Sequence, residues 1–317
     1  MGDVIISLIP AGIAGVLIFG IRALLVIAVC VASCIAFEYI SRKVMKRSVT
    51  LGDLSAVVTG LLLAYNLPVS IPLWMCVVGS FVAIVIVKQL FGGIGQNFAN
   101  PAITARIVML VSFASAMTNF TQPTLWRYDA VASATPLSEL SALDMTGDIP
   151  SQIKTLANGG NLPELKEMLF GVRAGCIGET CAAALLLGAV YLIARGIISV
   201  RIPFAYIATV GVFMLAVSHG SLTFTAYELT AGGLLLGAFY MATDYTTSPM
   251  SKKGKVVFGI GCGLLTSVIR LYGSLPEGVS YSILLMNIAC PLIEKACRPG
   301  YFGQQKTEKK KKEEKAA

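Results

Sequence analysis

Apolar and polar positions along this chain fall into long blocks. Between Ile5 and Leu292, apolar runs of roughly 15 to 21 residues recur, each closed by a short polar or charged segment. A helix crossing the hydrocarbon core of a bilayer needs roughly 17 to 25 residues. The runs predict helices over 4–19, 22–40, 54–68, 71–91, 101–117, 177–195, 203–218, 229–245, 255–273 and 279–296. The shorter ones read as half-helices or as tilted neighbours. Gly20, Ile21 and Arg22 leave so tight a connection that the first two runs also read as one long tilted helix. The predicted fold class is an all-α integral membrane protein of about ten transmembrane helices.

Composition agrees. Of 317 residues, 56% are hydrophobic and 13% charged, with a mean hydropathy of +0.76, whereas soluble domains carry about 25% charged residues. The net charge of +8 does not point to nucleic acid, because the basic residues sit in short blocks between apolar runs and in the last twenty residues. Those blocks set topology. With the amino terminus inside, Arg42, Lys43, Lys46, Arg47, Arg195, Arg201, Lys252, Lys253, Lys255 and the carboxyl tail are cytoplasmic. The segment 118–176, where six acidic residues outnumber four basic ones, falls outside. No basic stretch precedes the first apolar run, which reads as a first helix and not as a removable signal. Eight cysteines include no C-x-x-C pair, and Cys30, Cys34, Cys76, Cys262 and Cys290 lie within apolar runs, as small buried hydrophobes.

The chain repeats itself. "GLLLAYNLP" from Gly60 resembles "GLLLGAFYMATD" from Gly233, and "VKQLFGG" from Val87 resembles "VIRLYGS" from Val268. Each copy holds five predicted helices, and an odd number obliges the second copy to enter the membrane inverted. The expected organisation is a first membrane repeat over 1–117, an extracytoplasmic loop over 118–176, a second repeat over 177–298 and a disordered basic cytoplasmic tail over 299–317. Inversion puts Lys88 at the inner end of its helix and Arg270 at the outer end. Backbone breakers stand at Asn66 to Pro68 and at Asp244 to Pro249; irregular backbone at membrane depth survives only when buried in protein or lining a cavity.

No zinc spacing, Walker loop, dinucleotide glycine fingerprint or nucleophile elbow occurs, and the only histidine, His219, stands at a helix end. Demanding chemistry therefore falls to a bound cofactor. Glu38, Lys88, Arg106, Glu179, Glu228, Asp244, Arg270 and Glu294 are ionisable residues at or near membrane depth, each a functional candidate by default. Most lie near helix ends, where capping or snorkelling also accounts for them; Asp244 and Glu179 are the candidates for an ion path.

The loop segment "RYDAVASATPLSEL", Arg127 to Leu140, is by itself a polar turn with a threonine before proline. It resembles the flavinylation motif D-x-x-x-x-A-T-P-L of the RnfD and NqrB membrane subunits. "LGDLSAVVTGLLLAYNLP", "FGGIGQNFANPA" and "GGLLLGAFYMATDYTTSP" with the following "VIRLYG" are also similar to RnfD segments, so the likeness covers nearly the whole chain. Ala132 and Ser133 depart from the hydroxyl residue and glycine common in the motif, but they stay small.

The resemblance implies FMN joined through its phosphate to the Thr135 hydroxyl by a dedicated flavin transferase, with Asp129 and Ala134 as motif residues. It implies membership of a complex, with C, G, E, A and B type partners, in the cytoplasmic membrane of a bacterium or archaeon. That complex moves electrons between ferredoxin and NAD and exports sodium ions or protons. A second, non-covalent flavin such as riboflavin is implied too, without assigned residues. Lys88 and Arg270, beside aromatic-glycine pairs, are candidates to face flavin phosphate or ring oxygens, or simple topology anchors. NqrB-like quinone reduction is the alternative within the family, although NqrB-like chains are usually longer at the amino terminus. A passive channel or transporter built on inverted repeats, or a purely structural anchor, stands outside it.

Overall fold

In the computed structural model, residues 1–123, 134–143, 147–159, 162–273 and 277–297 are described. The tail expected to be disordered, and Asp129 of the loop motif, lie outside the described residues. Every element is helical: α1 (Gly2–Phe19), α2 (Ile21–Val44), α3 (Ser55–Tyr65), α4 (Leu73–Gln89), α5 (Pro101–Ser112), α6 (Pro136–Ser141), α7 (Ile149–Asn158), α8 (Leu165–Phe170), α9 (Ala182–Ala194), α10 (Arg201–Val217), α11 (Leu222–Thr230), α12 (Leu234–Met241), α13 (Lys252–Tyr272) and α14 (Val279–Ala296).

This is a multi-pass membrane protein. Four helices, α1, α2, α13 and α14, are long and apolar enough to span a bilayer by themselves, and α11 with α12, bent by 64°, makes a fifth broken span. The other apolar helices, α3, α4, α5, α9 and α10, are shorter. At about 1.5 Å per residue, the eleven residues of α3 cover about half of the roughly 30 Å hydrocarbon core.

α1 shows the inside-out logic of lipid. Ile6, Ile9, Ile13 and Leu17 form an exposed stripe, while Leu8, Ala11, Gly15 and Ile18 face the protein. An apolar stripe of this length belongs against acyl chains, not water. α1 and α2 are separate helices, turned by Gly20 at φ 79°, a conformation that favours glycine.

Packing is set by small residues. Gly259 and Gly263 of α13 lie against α10, where a Cβ would stand 2.8 Å from Ala205 Cβ and 2.6 Å from Thr209 Cβ. Small residues four apart let helix backbones approach where lipid supplies no hydrophobic drive. The same pairings recur in both halves: α2 packs on α3 and α4, as α10 packs on α11 and α13; α4 packs on α5 as α13 on α14; α3 packs on α5 as α12 on α14. α1 against α9, and α5 against α14, join the halves.

The broken backbone is satisfied by side chains. After α3, the carbonyls of Val69, Ser70 and Ile71 accept from the Arg22 guanidinium at 2.9, 3.3 and 3.3 Å. Asn100 caps α5 through the amides of Ala102 and Ile103 and donates at 3.3 Å to the carbonyl of Met241, where α12 ends. In a bilayer such groups have no water to turn to.

Candidate functional site

The Thr135 turn is built locally. Thr135 caps α6 and precedes Pro136 at the first helical position, where the missing N–H costs nothing and φ is already suited to a helix. Its Oγ accepts from the Ser138 amide at 3.3 Å, and the Ser138 hydroxyl donates to the Thr135 carbonyl at 2.7 Å. Pro136, Leu137 and Leu140 are buried and anchor the turn. Leu137 packs over Gly232, where an added Cβ would stand 3.0 Å from its Cδ2. Ala134 is exposed and Thr135 half-buried.

Ala134, Thr135, Leu137 and Ser138 line a cavity of about 260 Å³ whose other walls include Arg106, Arg173, Glu179, Gly232 and Glu277. Arg106 of α5 donates to Asn66 Oδ1, at the end of α3, and pairs with Glu277. Arg173, 3% exposed, is spent on backbone: its Nε donates to the Thr180 carbonyl at 3.2 Å and its Nη2 to the Glu179 carbonyl at 2.6 Å. Burial in this loop, outside the spans, pushes the Arg173 pKa down to about 10 against the pull of Glu179. Glu179 Oε1 accepts from the Cys176 amide at 3.1 Å, whereas Glu179 Oε2 and Glu277 Oε1 are buried with no hydrogen-bond partner among the described residues. These two oxygens converge on Gly233, 3.0 and 2.9 Å from where a Cβ would be. Buried carboxylate oxygens without donors are costly.

Lys88 and Arg270 serve breaks in the two halves. Each "GLLL" helix follows a residue of positive φ, Leu54 at 59° and Gly232 at 64°. At the first break Lys88 donates to Glu38 Oε1 and Oε2 at 2.9 and 3.0 Å and to Ser55 Oγ at 2.6 Å. At the second, Arg270 donates to Glu228 Oε2 at 2.9 Å and to the Ala231 carbonyl at 3.2 Å. Glu38, Lys88, Glu228 and Arg270 are all buried. Of the other ionisable candidates, Asp244 closes an Asx turn on the Thr246 amide at 3.2 Å, and Glu294 accepts from the Met250 amide at 2.9 Å.

Lys88 also lines a second cavity, of about 170 Å³, with Ser55, Thr59, Asn97, Asn100, Phe239, Thr243 and Tyr245. Two wide π-helical segments border it, Val82–Gln89 and Gly237–Met241, a distortion that often accompanies functional sites. The two cavities lie toward opposite ends of α5, one at Asn100 to Ala102 and the other at Arg106 and Leu110.

Glu277, Asn66 and Arg173 were not among the sequence candidates for the site. Arg173 counted only as loop charge, and Glu277 lies in a short connection that hydropathy passes over. Asn66 alone carried a signal, as a breaker directly after the repeated "GLLL" run.

Fold and site together define a polytopic membrane protein that keeps charged side chains beside two largely apolar cavities, one of them bordered by a loop threonine. The chain belongs to the NQR2, RnfD, RnfE family, which matches residues 1–303. It is 48% identical to the D-type subunit of the Na(+)-translocating ferredoxin:NAD(+) oxidoreductase complex of Acetobacterium woodii, covering 98% of this chain and 92% of the relative. It is 43% identical to the D-type subunit of the proton-translocating ferredoxin:NAD(+) oxidoreductase complex of Clostridium ljungdahlii, covering 96% and 92%. The D-type subunit of the ion-translocating oxidoreductase complex of Stutzerimonas stutzeri is 37% identical, covering 96% and 91%.

Proposed function

We propose that this chain is the RnfD-type electron-transfer component of a membrane-bound Rnf complex, which passes electrons between ferredoxin and NAD and exports sodium ions or protons. In this reading it works only within the complex, beside C, G, E, A and B type partners, and a flavin transferase matures it by moving FMN from a flavin phosphoanhydride donor to the Thr135 hydroxyl, which gives up its proton as the donor's other phosphate leaves. The observation that carries the reading is the cavity at Thr135: the one residue the motif selects borders about 260 Å³ of space walled by Arg106, Arg173, Glu179 and Glu277. The residues fit a flavin nucleotide. A guanidinium suits the phosphate, and two line the cavity, on Arg106 and Arg173. Ester formation removes the Thr135 proton but leaves its oxygen able to accept from the Ser138 amide. A phosphoester tethers one-electron chemistry at fixed distance without altering the ring, which is proximity applied to electrons.

The second cavity, with two asparagine amides, Phe239 and Tyr245, suits a non-covalent flavin such as riboflavin. Ten crossings in two inverted five-helix repeats are supported by the matched packing pairs of the halves and by Lys88 and Arg270 at equivalent breaks. With both termini cytoplasmic, the Thr135 loop faces outward, and the membrane is a bacterial or archaeal cytoplasmic membrane. Within the family, the 48% identity to the D-type subunit of A. woodii favours this reading over an NqrB-like quinone reductase.

The test is intact mass spectrometry, with denaturing electrophoresis, of the chain co-expressed with a flavin transferase. One FMN phosphoester and a fluorescent band are expected, both lost in Thr135→Ala. A wild-type chain of unmodified mass overturns the proposal, and solute flux through the purified chain in liposomes would then favour a channel.

A further inference from the structure

Among the described residues Arg173 is a buried cation without an ion-pair partner. No carboxylate lies within 4.0 Å of it, whereas Arg42, Lys88, Arg106 and Arg270 each have one. A guanidinium carries five N–H donors. Arg173 uses three, on the Thr180 and Glu179 carbonyls and on Met168 Sδ, so one proton on each Nη is left. Arg173 lines the same cavity as Thr135. Buried charges are normally paired, and the acceptors that hold this one are neutral. The nearest acid, Glu179, directs Oε1 to the Cys176 amide and lies beyond ion-pair distance.

We propose that Arg173 is the counter-ion of the phosphodiester on Thr135. The inference rests on the flavinylation of Thr135 argued above and adds the residue that holds the group. A phosphodiester carries one negative charge and free oxygens, which the two spare Nη protons match as charge-assisted hydrogen bonds. Arg173 is a positioning residue: it holds the tether and leaves the ring's chemistry alone.

The test uses the full chain co-expressed with a flavin transferase and purified in a phosphorus-free detergent. Intact mass fixes the FMN loading, and phosphorus NMR reads the diester, with Thr135→Ala as the blank. In the wild type the diester resonance should be displaced from its position in the same chain unfolded in urea. In Arg173→Gln, at equal loading, it should move most of the way to the unfolded value. In Arg173→Lys, which keeps the charge but loses the fork, it should move part of the way. An unchanged resonance in a fully loaded Arg173→Gln overturns the inference and leaves flavinylation standing. If the glutamine variant cannot be recovered folded, the lysine variant decides by the same criterion. Absence of FMN from the wild type overturns the proposed function, and this inference with it.

Discussion

Replacing Lys88 with methionine removes a buried cation and strands its partner. The ammonium directs three hydrogen bonds, to both oxygens of Glu38 and to Ser55 Oγ. The Glu38 side chain is 0% exposed. After the substitution Glu38 retains the Gln89 amide at 2.9 Å and the Arg42 guanidinium at 3.9 Å. Removing one member of a buried pair costs about 3 to 5 kcal/mol. Because two donors remain nearby, the expectation is the lower end, about 3 kcal/mol, or roughly a hundredfold in the folding equilibrium. Adding Glu38→Gln removes the stranded charge and keeps an acceptor for Gln89. The double variant should return to within about 1 kcal/mol of the wild type, since removing a whole buried pair is often nearly neutral. The assay is an SDS titration of the micellar protein for the wild type, both single variants and the double. Costs that simply add, to within about 0.5 kcal/mol, would refute the pairing. Flavin extracted from the same samples separates the two roles of Lys88. If it only neutralises Glu38, the refolded double variant keeps the non-covalent flavin proposed above; if it also serves the cavity it lines, that flavin is lost.

Two further outcomes follow from the packing and the loop electrostatics. In Gly188→Ala the new Cβ meets the Ser7 carbonyl oxygen and the Tyr240 hydroxyl, which must force α9 from α1; a loss of about 2 kcal/mol is expected in the same titration, against no change in Gly52→Ala, where nothing lies within 4 Å. Glu277, in the connection between α13 and α14, has its carboxyl raised from 4.5 to about 7 by burial, which outweighs the pull of Arg106. A raised carboxyl pKa means that the folded chain binds the proton more tightly than the unfolded chain. Its contribution is complete below about 4.5 and is lost as pH rises through about 7, so wild-type stability should fall across that window relative to Glu277→Gln, and parallel curves would contradict it.

The sequence exposes what lipid dictates and hides what tertiary contact decides. A helix overlaps each of the ten predicted windows, because the apolar blocks that a bilayer requires are visible one segment at a time, although the window 229–245 holds only part of a helix pair, Leu222–Thr230 and Leu234–Met241, bent by 64°. Helix ends were less legible. α3 stops at Tyr65 because Asn66 turns its side chain onto Arg106 and Met241, contacts 40 and 175 residues away. The predicted helix over 101–117 is interrupted at Phe113, where hydropathy shows no breaker. Thr135 was legible only because a nine-residue motif resembles a known one. Its cavity was not, since Arg106, Arg173, Glu179, Gly232 and Glu277 come from five places in the chain and meet only in the fold.

The buried charged groups divide into closed and open sets. Glu38 with Lys88, and Glu228 with Arg270, are closed: each acid meets its base within 3 Å, and each base also serves the break before a "GLLL" helix. Such pairs hold irregular backbone in a medium without water, and the sequence, seeing only ionisable residues in apolar runs, cannot tell them from working groups. The set around Thr135 is open. It holds a cation, Arg173, whose hydrogen-bond acceptors are all neutral, on a cavity of about 260 Å³. Structural charge would have closed itself, at little cost, within a protein that closes its other buried pairs. The phosphate-linked flavin proposed for Thr135, which borders the same cavity, would complete that set by bringing an anion to Arg173.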